Sequence, residues 1–251
     1  MTETEWLAGC DTQRLLEYAI GKVGQRKLQL FACACCRRVW SALGQASRRL
    51  IEVDELHVDG RASDEELQRA FLAAAESEWR VAGNPTLFTP WRSSFHAFEA
   101  VLHATRHNAL EPRRNYDCGI VADQATIAAY YEVVRGRGGD IEREFPSAEI
   151  DWDEENVIRH AEASAQCQIL RDIVGNPFCL AATTVSPDRY PRAAALLAQS
   201  IYDDRDFDRL PELADALDRA GCCHASVSAH CRESTPHVLG CWVLDLLLDK
   251  T

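Results

Sequence analysis

The chain has 251 residues, 47% of them hydrophobic and 26% charged, so it can build a sizeable core and is not disordered as a whole. A net charge of −12 argues against non-specific nucleic-acid binding, which needs a basic surface to displace counterions, and no apolar run approaches the ~20 residues of a membrane span. The acidic start, Met1 to Trp6, lacks the layout of a signal peptide, and eleven cysteines, an odd number set within helical patterns, do not suit a secreted disulfide framework. A cytoplasmic protein with reduced thiols is the expectation, with no nucleic acid and no membrane among its partners.

Helical signals dominate from the first residues onward. Thr2 with Glu5 fits a capping box, and Asp11 fits the N-cap of a second helix that stops near Gly21. A third helix is predicted from Gln25 to Leu43, with Leu28, Phe31, Cys35 and Val39 on one face and Trp40 and Leu43 beside it. That arc is wide, which marks the helix as central. Arg37, Arg38, Arg48 and Arg49 follow the pattern of an ordinary solvated face rather than a basic patch, because Glu52, Asp54 and Glu55 come directly after. A fourth helix runs from Ala46 to Val58, and Ser63 with Glu66 caps a fifth that ends near Gly83. Further helices are predicted over Arg92–Leu110 and Val121–Arg135.

Residues 140–155 read as an acidic linker; they lack the D-x-D-x-D-G loop of a calcium site and suit a solvated loop leading into a helix N-terminus. A long helix follows from Asp153 to Val174, closed by Gly175-Asn176-Pro177. The last third holds helices over Tyr190–Tyr202, Leu210–Ala220, Ser226–Cys231 and His237–Leu248. Strand alternation is nowhere sustained. The expected fold is all-α, a multi-helix bundle or an irregular α-solenoid-like array with little or no β structure.

Three groups of side chains have the chemistry for a site. Cys33 and Cys36 lie i and i+3 on a helix, about 60° apart, so two thiols share one side. They suit a shared metal or a redox pair, although a mid-helix position withholds the dipole that lowers a thiol pKa. Near the C-terminus, Cys222, His230, Cys231, His237 and Cys241 combine thiolate and imidazole, the donors zinc prefers, with His237 and Cys241 at i and i+4 of the last helix. A second geometry draws Cys33 and Cys36 into the same zinc site. The alternative metal set is His96, His103 and His107, whose wheel angles fall within about 40° of one another. For each group the plainer reading is buried thiols or solvated and capping histidines. No phosphate-binding loop, zinc-protease helix, nucleophile elbow or dinucleotide fingerprint occurs.

Several strings carry a resemblance: Thr4 to Leu7, Leu30 to Trp40 (LFACACCRRVW), Leu170 to Phe178 (LRDIVGNPF), Tyr202 to Pro211, Ala220 to Cys222, His230 to Arg232 and His237 to Trp242. Together they resemble an uncharacterised family abundant in planctomycete bacteria. The resemblance carries no activity, cofactor or catalytic residue. It implies that residues 1–70 and 154–251 belong together in one helical domain spanning 1–251, around a variable middle, 71–153. The expected function is a non-catalytic helical interaction or scaffold protein, with a protein partner or a second copy, stapled by zinc. The alternatives are a metal-dependent enzyme on a helical bundle and a thiol redox sensor.

Overall fold

The computed structural model describes residues 1–82, 97, 99–101, 104, 117–136, 152–179, 190–221 and 225–250. The chain is all-α, and no strand occurs among the described residues. In chain order the helices are α1 (Glu3–Ala8), α2 (Thr12–Ala19), α3 (Gln25–Arg38), α4 (Gln45–Val58), α5 (Asp64–Ala82), α6 (Asp117–Gly136), α7 (Trp152–Val174), α8 (Arg192–Asp204), α9 (Leu210–Arg219), α10 (Ala225–Cys231) and α11 (Trp242–Leu248). Short 3₁₀ turns occupy Trp40–Ala42 and Phe207–Arg209. No described helix is long and apolar enough to cross a membrane.

Local signals set most of these boundaries. The Thr2 amide donates to Glu5 Oε2 at 2.7 Å and the Glu5 amide to Thr2 Oγ1 at 3.2 Å, a complete capping box. Ser63 and Glu66 repeat it at the start of α5. Asp11 caps α2 through the Arg14 amide at 3.1 Å.

α3 is central, and more completely so than one apolar face implies. Every residue from Leu28 to Cys36 is buried, because α4, α6 and α7 all pack on it. A helix buried all round must satisfy its polar side chains internally. Gln29 accordingly donates to Asp54 Oδ2 at 2.6 Å and to the Ala104 carbonyl. α3 ends at Arg38 rather than continuing to Leu43. The tighter turn at Trp40–Ala42 lets both Val39 and Leu43 enter the core.

Arg37 and Arg38 form neither a basic patch nor a merely solvated face. Each holds a buried glutamate bidentately: Arg37 pairs with Glu55 at 2.6 and 2.6 Å, and Arg38 with Glu162 of α7 at 2.7 and 2.8 Å. At the start of the chain, the Trp6 indole donates to the Gly175 carbonyl at 3.1 Å, and Arg171 donates to the carbonyls of Trp6 and Gly9. These contacts bind the first helices to the C-terminal end of α7.

A second junction forms around Asp59. Its carboxylate accepts from Arg26 at 2.9 and 3.0 Å, from Tyr202 Oη at 2.6 Å and from Lys250 at 2.9 Å. Burial pushes this carboxyl upward, but the hydrogen bonds from Tyr202 and Lys250 and the Arg26 charge outweigh it and hold it below the ordinary 3.8. A lowered folded-state pKa contributes stability that is present above the unfolded value and lost as pH falls through the folded one. Urea midpoints of the wild type and Asp59→Asn are therefore expected to differ most above the ordinary carboxylate range and to converge as pH falls through the lowered folded-state value.

Candidate metal centre

Asp172 sits in the last turn of α7, three residues after Ile169 and beside Ile173, on the side that faces the core. A carboxylate at a helix C-terminus opposes the helix dipole, and a buried one needs donors. Three groups supply them. His230 Nε2 lies 3.0 Å from Asp172 Oδ1, His237 Nδ1 lies 2.6 Å from the same oxygen, and the Val238 amide donates to Oδ2 at 2.9 Å. His230 comes from the last turn of α10, where an imidazole suits the dipole.

Cys241 completes the group. Its Sγ is 3.4 Å from His230 Nε2, and the thiol is fully buried. One donor atom from each of Asp172, His230, His237 and Cys241 lies within 4.8 Å of the other three. Among the described residues this is the set of His, Cys, Asp and Glu donors that converges as a metal site would. The rings of His230 and His237 meet edge to face at 4.9 Å, and Trp242 lies 5.2 Å from His230.

The electrostatics follow from burial and from this pairing. Burial pushes the Asp172 carboxyl up, but the hydrogen bonds and charge of His230 and His237 outweigh it and hold it below 3.8. Burial pulls His237 down, and the Asp172 hydrogen bond and charge more than restore it, leaving it above 6.5. Burial and the Asp172 charge push the Cys241 thiol well above 9.0. A metal that binds here must displace that thiol proton.

The four donors could hold a metal ion. Tetrahedral zinc with bonds of about 2.0–2.3 Å needs donor–donor edges of about 3.3–3.6 Å. The contacts of 2.6 and 3.0 Å are shorter than those edges, that of 3.4 Å falls within them, and the four donors lie within 4.8 Å of one another, so the side chains would readjust around an ion. Glu233 Oε2 stands 3.6 Å from His230 Nδ1, beyond hydrogen-bond distance. Two clefts flank the centre. One of about 270 Å³ is lined by Trp6, Trp242, Asp172 and His230, and one of about 430 Å³ is lined by His237, Cys231 and Phe207.

Several expectations meet different outcomes. His237 and Cys241 do come together, but not on one helix. The last helix starts at Trp242, and Cys241 is its N-cap. Gly240 has φ +89°, which breaks the helical path before Cys241, and the Val238 amide donates to Asp172. A Cβ on Gly240 would also meet Leu30 Cδ1 at 2.9 Å. Gly240→Ala is expected to cost about 1–3 kcal/mol in urea unfolding, from left-handed backbone and overpacking together.

Cys231 is buried next to His230 but is not one of the four converging residues. Cys33 and Cys36 are buried on α3, where Cys33 donates to Asp54 Oδ2 at 3.2 Å, and they too stand outside the group. Cys222, His96, His103 and His107 lie outside the described residues. Asp172 is the member that sequence spacing missed. Its signal was an acid on the core side of a helix end, within the string Leu170 to Phe178. Compared with models of protein families, curated proteins and solved structures, the chain matches none, so its functional reading rests on this geometry.

Proposed function

We propose that the chain is a non-catalytic helical interaction or scaffold protein whose C-terminal segments are stapled to α7 by a structural zinc ion at Asp172, His230, His237 and Cys241. One observation carries this reading: four convergent donors from α7, α10 and the strap before α11, each with a side chain less than a tenth exposed. Four protein ligands fill a tetrahedral zinc shell and leave no position for substrate. One thiolate, two imidazoles and a carboxylate favour zinc over the hard cations magnesium and calcium. The helical surface is then the part that meets partners, with another protein or a second copy as the expected class.

Elemental analysis of purified protein tests the metal. One zinc per chain is expected, lost in Cys241→Ser and His230→Ala and retained in Cys222→Ser. Folded protein that takes up no zinc, and whose Tm does not rise when zinc is added, overturns the proposal.

A metal-dependent enzyme is the second reading, favoured by the cleft of about 270 Å³ that reaches Asp172 and His230 between two indoles. Cobalt substitution separates the two. A closed structural site keeps its visible spectrum when azide is added, whereas an open catalytic position takes the azide and shifts it. Thiol redox sensing through Cys33 and Cys36 has less support, since burial and the acids Asp54 and Glu55 push both thiols up and away from the reactive thiolate.

A further inference from the structure

Behind His237, on the side away from Asp172, lies an inner cavity of about 250 Å³. Its lining includes Arg37, Glu55, Arg205, Phe207, His237 and Leu30. Arg37 and Arg205 both bind the Glu55 carboxylate, which is only 2% exposed, so two guanidiniums meet one negative charge. A guanidinium carries five N–H donors. Arg37 spends Nε and Nη2 on Glu55, and Arg205 spends Nη2, which leaves donors on both. His237 Nε2 is buried without a hydrogen bond of ordinary geometry, although the Glu233 backbone carbonyl lies near enough to the ring to help raise its pKa. The ring turns Nδ1 to Asp172, and its opposite edge lines this cavity and the adjoining one of about 430 Å³.

A cavity with surplus positive charge, unspent donors, an imidazole nitrogen without a well-formed hydrogen bond and an apolar floor has the chemistry of a small organic anion site. The acids Asp206, Asp208 and Glu233 line the outer cavity and not the inner one, so they work against a dianion such as phosphate and leave a monocarboxylate favoured. We propose that the inner cavity binds a small organic monocarboxylate, whose oxygens accept from Arg37, Arg205 and the Nε2–H of a zinc-bound His237. This rests on the zinc reading, because a metal on Nδ1 fixes the proton on Nε2. The carboxylate then completes a carboxylate–histidine–metal relay, and anion and metal bind with positive cooperativity, each raising the affinity for the other by the same factor.

Benzoate is the probe, with benzamide as its uncharged twin, titrated calorimetrically into the full-length zinc-loaded chain whose metal content is measured beforehand. One benzoate per chain is expected, with benzamide at least about tenfold weaker and Arg205→Gln lowering benzoate affinity roughly tenfold. Zinc content stays at one per chain in Arg205→Gln, and saturating benzoate tightens zinc binding. Equal affinity for benzoate and benzamide, benzoate binding indifferent to Arg205→Gln, or no benzoate binding to a chain that holds zinc each overturns the anion site and leaves the zinc reading standing. A chain that takes up no zinc overturns both. The benzamide comparison needs no substitution, so it decides the matter even if Arg205→Gln folds poorly.

Discussion

Asp172→Ala is expected to destabilise the protein by about 3–5 kcal/mol, the cost typical of removing one partner from a buried charged network. The carboxylate accepts from two imidazoles and one backbone amide, and all three lose their acceptor at once. For a chain of this size the loss corresponds to a fall in Tm of roughly 6–20 °C. Asp172→Asn keeps the shape and one acceptor oxygen, but turns an amide N–H₂ toward groups that donate, so an intermediate loss of about 1–3 kcal/mol is expected. Thermal and urea unfolding of both variants, each with and without added zinc, checks the order. Equal stability of Asp172→Ala and wild type would contradict the description of this network.

Trp6→Ala is expected to cost a similar about 3–5 kcal/mol, for a different reason. The indole is fully buried and its N–H satisfies the Gly175 carbonyl at the end of α7. Truncation opens a cavity and orphans a helix C-terminal carbonyl together. Trp6→Phe keeps most of the volume and loses the hydrogen bond, so about 1–2 kcal/mol is expected there. Trp6 and Asp172 both act on the last turns of α7. Their double variant is therefore expected to lose less than the sum of the two single losses, as is common for sites that share a backbone element. Urea unfolding of the four proteins in the cycle measures that difference.

What the sequence showed and what it hid divide along physical lines. Features encoded within one turn of helix were legible: the capping boxes at Thr2 and Ser63, the stop at Gly175, the central place of α3, and the extent of α7 to within a residue. These depend on side chains reaching their own backbone. Features that depend on a distant partner were not. Asp172 lies 58 residues before His230 and 65 before His237, so no spacing rule joins them. Cys33 and Cys36 suggested a shared ion from their spacing alone. The deciding neighbour of Cys33 is Asp54 of α4, which accepts a hydrogen bond from its thiol inside the core. The strap His237 to Cys241 fitted a helical wheel, yet Gly240 takes positive φ, and a Cβ there would meet Leu30 Cδ1 at 2.9 Å. His237 and Cys241 were thus paired correctly for a geometric reason that does not apply.

The most direct test of the proposed zinc centre is the absorption fine structure at the zinc K-edge of the metal-loaded protein. The four-residue site predicts a single sulfur at about 2.3 Å and three nitrogen or oxygen donors at about 2.0 Å. A shell of two or more sulfurs, or of six oxygens, would contradict a centre built from Asp172, His230, His237 and Cys241.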